Sequence, residues 1–544
     1  MGNQVTHKWG VFELELKSSQ LYNDPLRDVS VWCKFVSPSG REYTVEGFWN
    51  GENTWLARFM PDELGVWRYR CGCSNKEDVG LNSVEGSFEC IAYEGDNQLY
   101  IHGPLRLSPN RRYLVYSDGT PFFWLADTAW NLLLRGEVEE IKEYLEFRRT
   151  QGYNVIQFVI INWGAAPTDN FGDRAYYGCD KVDVLNVSFF KRIDEKFALL
   201  NKYGFVAAPV LFWVSLEENL RGRYLNPGAI LREEEAILLG RYILARYGAH
   251  IAVWILNGDG IYTELKANRW RRIGRGIFLN PPTGRKILAT MHPRGGTWPL
   301  PDFRCEEWYD IVGYQSSHHN ERERLRWICQ GPPATDWRLD PPRPFINMEP
   351  NYEDWIDHVL KVRITRYMVR RAAYWSLLTS PPAGITYGTG GIIVWAQRRI
   401  VLESEGVTQQ FLTWRESLKL QGGYDMAVLR KIFESIPWWD LVPAQELLVE
   451  QPGLDDEEAF IAIAKTSDSK YMVIYNPKEQ EVKLNLKNVK TPCKFSWIDP
   501  TTGKVSKEET IISETVTLRP PPSRDRISDG SYKDWVIMCI CSLN

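Results

Sequence analysis

Over residues 1 to about 97, apolar side chains recur at every second position in short runs such as VFELELKS, VSVWCKFVS, TWLARFMP and GSFECIAY. Asn-Asp-Pro, Pro-Ser-Gly and Asn-Gly-Glu-Asn turns separate the runs. A period of two belongs to strands with one buried face, and six or seven of them in so short a stretch predict a two-layer β-sandwich. From about residue 103 the rhythm changes. Uninterrupted apolar runs of strand length now alternate with stretches whose apolar positions repeat every three or four residues, as in EVEEIKEYLEFRRTQG. FFWLAD, YNVIQFVIINW, FVAAPVLFW, IAVWIL, ILATMHP, YDIVGYQ, PFINME and AAYWSLLTS are the eight strand candidates, beginning near residues 122, 155, 205, 251, 286, 309, 344 and 373. Strands apolar on both faces are buried on both faces, so eight strand–helix units in series predict a (β/α)₈ barrel over residues 103–440. Period two returns from 441 in AFIAIAKT, KYMVIYNP, EVKLNLKN and DWVIMCI, which predicts a second sandwich over residues 441–544. The expected fold class is therefore multidomain, a central TIM barrel flanked by N-terminal (residues 1–97) and C-terminal β-sandwiches.

Two of the barrel runs end in an acid. WILNGDG places Asp259, and PFINMEP places Glu349, where strand becomes loop. In a barrel the loops that follow the strand C-termini gather on one face, so acids from strands four and seven meet in one cleft. Paired carboxylates do the two jobs of glycoside hydrolysis: one gives a proton to the leaving oxygen, the other stabilises or attacks the developing oxocarbenium carbon. The same strand ends supply candidate sugar contacts. They are Asp127 and Trp130 after the first strand, Asn162 and Trp163 after the second, Trp213 after the third and Asn257 in the fourth. His292 follows the fifth, Tyr314, Gln315, His318 and His319 the sixth, Tyr352 stands beside Glu349 to orient it, and Trp375 lies in the eighth. Indoles match the flat C–H faces of sugars, and amides, imidazoles and phenols match their hydroxyls. The chain holds 23 Trp, 26 Tyr and 22 Phe, more indole than cores require, which fits an oligosaccharide or polysaccharide partner.

Other chemistries fare worse. A net charge of -4 offers no field for nucleic acid, and no run of 18 apolar residues offers a membrane span. No G-x-G-x-x-G or G-x-x-x-x-G-K-[ST] follows a strand, and no G-x-S-x-G elbow is present. Three histidines near one mouth raise a metal-dependent hydrolase as an alternative. Adjacent His318 and His319 cannot both point one way on a regular element, however, and H-E-x-x-H is absent, so neither metal nor cofactor is expected. A noncatalytic carbohydrate-binding protein is the other alternative. Cys71-Gly72-Cys73 and Cys539-Ile540-Cys541 are one residue short of a metal knuckle and are expected to be buried or edge-strand thiols. The opening MGNQVTHKWG has no apolar secretory segment, so the expected location is cytoplasmic for the chain as it stands, and secreted if a signal segment has been removed.

FFWLADTAWN, WILNGDG and PFINMEPNYE resemble the signatures of the apiosidase-like glycoside hydrolase family, and FWNGENTWLARFMPDELGVWRYRC resembles its N-terminal β-sandwich. KYMVIYNP, KFSWIDPTTGK and DWVIMCI resemble its C-terminal, collagen-binding-type β domain. The resemblance implies a (β/α)₈ hydrolase with Asp259 at the strand-four acid position and Glu349 at the strand-seven position. Barrel glycosidases with acids at these ends commonly use the first as acid/base and the second as nucleophile, but they usually carry Asn-Glu on strand four. Here the text is Gly258-Asp259, one methylene shorter. Retention is expected, with a wider gap between the acids as the way it would fail.

Overall fold

The computed structural model describes residues 4–82, 84–214, 225–404, 406–522 and 532–541. Its central sheet consists of β1 (Trp124–Thr128), β2 (Val155–Val159), β3 (Val206–Trp213), β4 (Val253–Gly260), β5 (Leu288–Pro293), β6 (Val312–Gln315), β7 (Phe345–Glu349) and β8 (Gly384–Gly388). The strands pair in parallel in the order β5-β4-β3-β2-β1-β8-β7-β6. Thr290 of β5 joins the two ends of that order: its hydroxyl donates to the Ile311 carbonyl at 2.8 Å and accepts from the Gly313 amide at 3.1 Å. A sheet closed in this way has no edge left to protect, and every strand C-terminus opens on the same face.

Seven strands coincide with the apolar runs. The eighth does not. AAYWSLLTS is the second half of the helix Arg366–Thr379, and β8 is the short GITYG that follows. Every residue of that helix from Val369 to Thr379 is buried, because the barrel lies on one side and the C-terminal sandwich on the other. A helix with no polar face carries no 3.6-residue signal, and its apolar run then reads as a strand. Trp375 accordingly leaves the site: its indole N–H donates to the Phe460 carbonyl at 2.9 Å, in the seam between barrel and C-terminal sheet. The inserted loop expected after strand three falls largely on 215–224, outside the described residues.

At the N-terminus seven strands form one continuous order in which Glu42–Trp49 serves two layers. Its first part pairs with Val31–Val36, and Phe48 and Trp49 pair with Thr54–Phe59. The sheet folds over at that point and encloses Phe12, Phe35, Phe59, Trp67 and Phe88. A buried ion cluster docks this sandwich on the barrel, with Asp194 accepting from Arg58 at 3.0 Å and from Arg246 at 2.6 Å. The C-terminal unit is a six-stranded sheet with a two-stranded partner, filled by Phe495, Trp497 and Ile537 among others.

The expectation of free thiols is corrected at two places. Cys33 is bonded to Cys71, and Cys493 to Cys541. In each case the partners face one another across neighbouring strands, so the bonded neighbour lies in the sheet and not two residues away in the C-x-C run. Among the described residues no helix is long and apolar enough to cross a membrane.

Candidate active site

The strand C-termini frame a cleft of 580 Å³ that contains Asp259 and Glu349. β4 is irregular at its end: its pairing with β5 slips between Ile255 and Gly258 and again before Gly260, and Asp259 has φ +50°. A left-handed conformation at a non-glycine residue costs energy, and such strain is characteristically kept where it aims a functional side chain. Gly258 makes the turn possible, because a β-carbon there would lie 2.3 Å from the Trp213 ring. The indole therefore rests directly on the backbone beside the acid.

Glu349 ends β7, where its pairing with β6 shifts by a residue. Only 7% exposed, it is held from both sides. His318 Nε2 is 2.8 Å from Oε1, and His292 Nε2 is 3.2 Å from Oε2. The second contact is close but off the N–H axis, an ion-pair distance without a well-directed hydrogen bond. Burial alone would raise the Glu349 carboxyl. The close approach of His292 and the hydrogen bond with His318 outweigh it and hold the group well below the usual carboxylate range.

The proton count around His318 is informative. Its Nδ1 lies 2.9 Å from the Pro350 carbonyl, which can only accept, so Nδ1 carries a hydrogen. The contact between Nε2 and Glu349 needs a second proton between them. The loop is built to fix this ring. Ser317 turns it with φ +74°, Asn320 N–H donates to buried Asp357 at 2.7 Å, and the imidazole stacks on Tyr352 at 4.0 Å and 27°. Burial first, then the Glu349 charge, keeps the Tyr352 phenol well above its ordinary range and so protonated.

One wall of the cleft is aromatic. Trp163 lies 4.5 Å from Trp213, and Trp130 stands edge-on to His292 at 5.2 Å and 88°. Asn131 accepts from the Trp163 indole at 2.8 Å and sets its angle. Across the mouth are Trp355, Phe411 and the hairpin Ile400–Ser404 and Val407–Phe411, which contributes Leu402 and Glu403. Gln315, His318, His319, Arg294 and Arg324 complete the basic side. Burial lowers His319, whose ring faces His358 at 5.9 Å.

The structure thus brings together Asp259, Glu349, Trp130, Trp163, Trp213, Gln315, His318, His319 and Tyr352 on the cleft, with His292 behind Glu349. Four further candidates are placed elsewhere, besides Trp375. Asp127 faces outward from β1, where Oδ2 accepts from Arg148 at 2.6 Å and Tyr144 at 2.7 Å. Asn162 accepts from the Ala175 amide at 3.0 Å in a separate crevice. Tyr314 points into the helix layer against Trp298 and Trp327. Asn257 is wholly buried in β4. Sequence reasoning missed Arg294, Arg324, Trp355, His358, Glu403 and Phe411. Arg294 alone had a usable signal, two residues beyond the strand-five His292. Trp355 and His358 sit in the loop after β7, Arg324 lies in the helix Arg322–Gln330, and Glu403 and Phe411 lie in the short hairpin, so nothing near them in the sequence marks the cleft.

No histidine–carboxylate group gathers three donors in the cleft among the described residues. The three donor atoms that do approach one another are the sulfurs of Cys493, Cys539 and Cys541, two of which share a disulfide.

Fold and cleft together put the protein among the barrel glycosidases. The family follows from the chain itself: residues 108–440 match the model described as apiosidase-like, catalytic domain, and the chain belongs to that family. Residues 5–74 match a domain of unknown function, and residues 442–540 match a model described as "Putative collagen-binding domain of a collagenase". A solved glycoside hydrolase shares 22% identity over 81% of this chain and 98% of its own, with TM-score 0.68. A family 5 glycoside hydrolase from Bacteroides vulgatus has the same identity, the same TM-score and 94% coverage of its own chain. A third chain, from that bacterium, shares 19% identity over 99% of this chain and 100% of its own, with TM-score 0.72. Likeness at this identity concerns the fold. Among curated proteins none matches the chain.

Proposed function

We propose that the protein hydrolyses a glycosidic bond in an oligosaccharide or polysaccharide with retention, with residues 103–440 as the catalytic unit and 1–97 and 441–544 as flanking units. The observation that carries this reading is Glu349, buried on the cleft lining with His318 and His292 at 2.8 and 3.2 Å from its two oxygens, an arrangement that favours the ionised carboxylate. A nucleophilic carboxylate must be ionised before substrate arrives. Asp259 shares the cleft and serves as acid/base. In the first half-reaction Glu349 bonds to the anomeric carbon as the aglycone departs with a proton from Asp259. In the second, Asp259 takes a proton from water, the water oxygen bonds to the anomeric carbon and the Glu349 ester breaks. The sugar ring lies against the Trp130, Trp163 and Trp213 wall, where indole faces meet its C–H face.

Asp259→Asn and Glu349→Gln should each lower turnover by at least about 100-fold with the thermal transition preserved, because the amides keep shape and lose the chemistry. Wild-type activity in either variant removes that residue from the pair, and binding of glycan undisturbed by both would favour a noncatalytic module. Proton NMR of the first product formed decides the stereochemistry. Retention corresponds to carboxyls about 5 to 5.5 Å apart and inversion to about 6.5 to 9.5 Å. An inverted product would recast Glu349 as the base that activates water.

Two disulfides, one in each flanking sandwich, support an oxidising compartment as the place of action, since cystines of this kind do not persist against cytosolic thiols.

A further inference from the structure

We propose that His318 is a cationic positioning residue for the second half of the reaction: as an imidazolium it holds Glu349 Oε1 and makes Glu349 a better leaving group from the glycosyl-enzyme. The inference rests on the nucleophile reading above and goes beyond it by giving the two carboxylate oxygens, and the two half-reactions, different dependence on one side chain.

The two nitrogens of His318 face two acceptors, the Pro350 carbonyl at 2.9 Å and Glu349 Oε1 at 2.8 Å. A neutral ring has one N–H and satisfies one of them. The arrangement needs two protons, one donated to the Pro350 carbonyl and one held against Glu349 Oε1. His292 differs. Its Nε2 approaches Oε2 at 3.2 Å without alignment, and its Nδ1 meets no partner among the described residues, so nothing fixes a proton there.

The oxygens of Glu349 are therefore unequal. Oε1 has its lone pair committed along the His318 N–H, whereas Oε2 has only the off-axis contact with His292 and no directed hydrogen bond. Oε2 is the oxygen that attacks. On attack it forms the C–O bond to the anomeric carbon, the aglycone C–O bond breaks, and Oε1 becomes the ester carbonyl oxygen, still bound to His318. A cation on Oε1 withdraws electron density from the carboxylate. It makes the anion less basic, which slows its attack modestly, and makes it a better leaving group when water displaces it. The two halves are thus pushed in opposite directions by one charge.

Other titratable groups share the cleft or contact Glu349: His292 and Arg294 from the β5 end, His319 from the same loop, Arg324 from the helix Arg322–Gln330, Asp259 from β4, Glu403 from the hairpin and His358 from the loop after β7. Their combined titration would blur a pH profile, so the test is made at one pH and reads the division between the two half-reactions.

The probe is an aryl glycoside with an activated phenol leaving group, chosen from those the unmodified enzyme cleaves. With His318→Gln, whose amide still donates to Oε1 but carries no charge, kcat should fall about tenfold or more while KM falls in parallel, leaving kcat/KM within about threefold. A pre-steady-state burst of phenol approaching one per enzyme should appear, with a glycosyl adduct on the Glu349 peptide by mass spectrometry. A loss of kcat and kcat/KM together, with neither burst nor adduct, overturns the proposal. A second measurement needs no His318 variant: in nitrogen-15 spectra of histidine-labelled protein at neutral pH, one ring should show both nitrogens protonated and should lose that pattern in Glu349→Gln. Absence of any such ring overturns the proposal as well. The anomeric configuration from the unmodified enzyme separates the two levels: an inverted product removes the nucleophile reading and this inference with it, whereas retention without the burst removes this inference alone.

Discussion

At the scale of single residues, the two acids proposed as the catalytic pair could be placed at two strand ends, and both line the cleft, but what surrounds each acid could not be read. Glu349 depends on imidazoles that come from β5 and from the loop after β6, so its depressed ionisation is a product of three chain segments meeting. The sign is definite. A carboxyl held below its ordinary value of about 4.3 remains ionised through mild acid, so the acid limb of kcat/KM should lie below that range. Replacing His292 by Gln should move the limb upward, and a pH series on both proteins checks it. The same shift acts on stability: Glu349's contribution is complete above the ordinary carboxylate range and is lost as pH falls through the folded-state value. Asp127 shows the opposite failure of local reading. Its strand-end position is right for a sugar contact, but on a two-residue alternation it faces the helix layer, where it meets Arg148 and Tyr144. Asp127→Asn should therefore cost stability, about 3–5 kcal/mol if Arg148 is left unpaired, with kcat/KM per folded molecule unchanged. Thermal denaturation beside active-site titration separates the two.

At the scale of elements, long apolar strands were legible because burial on both faces leaves a continuous run, and seven of eight lie where the runs lie. The helix Arg366–Thr379 and β8 were exchanged for a specific reason. The helix is covered on all sides and carries no amphipathic period, and β8 is five residues with a glycine at each end. Neighbouring contacts depend on that small strand, since a β-carbon at Gly388 would lie 2.2 Å from the Tyr352 ring. Gly388→Ala should displace Tyr352 and, through their stacking, His318. The expected outcome is a fall in kcat larger than the fall in thermal stability would explain, measured on protein shown to be folded by circular dichroism.

At the scale of the whole molecule, the barrel and the C-terminal sheet share a buried ion network. Arg370 pairs with Asp534 at 2.8 Å and with Asp425 at 2.6 Å, and Tyr475 donates to Asp534 at 2.9 Å. Asp534→Asn leaves Arg370 short of a partner, and about 3–5 kcal/mol of docking should be lost. Limited proteolysis should then release the C-terminal unit at lower temperature, and unchanged resistance would count against the seam as the anchor. By itself the sequence determined the order of units, the two strand-end acids and the aromatic excess. These are properties of local periodicity and composition, which the chain carries wherever it is placed. Tertiary structure alone decided which acid is clamped, which strand-end residues turn outward, which cysteines pair and which loop residues reach the cleft. Those outcomes depend on side-chain direction and on contacts between segments far apart in the chain, and no run of neighbouring residues encodes them.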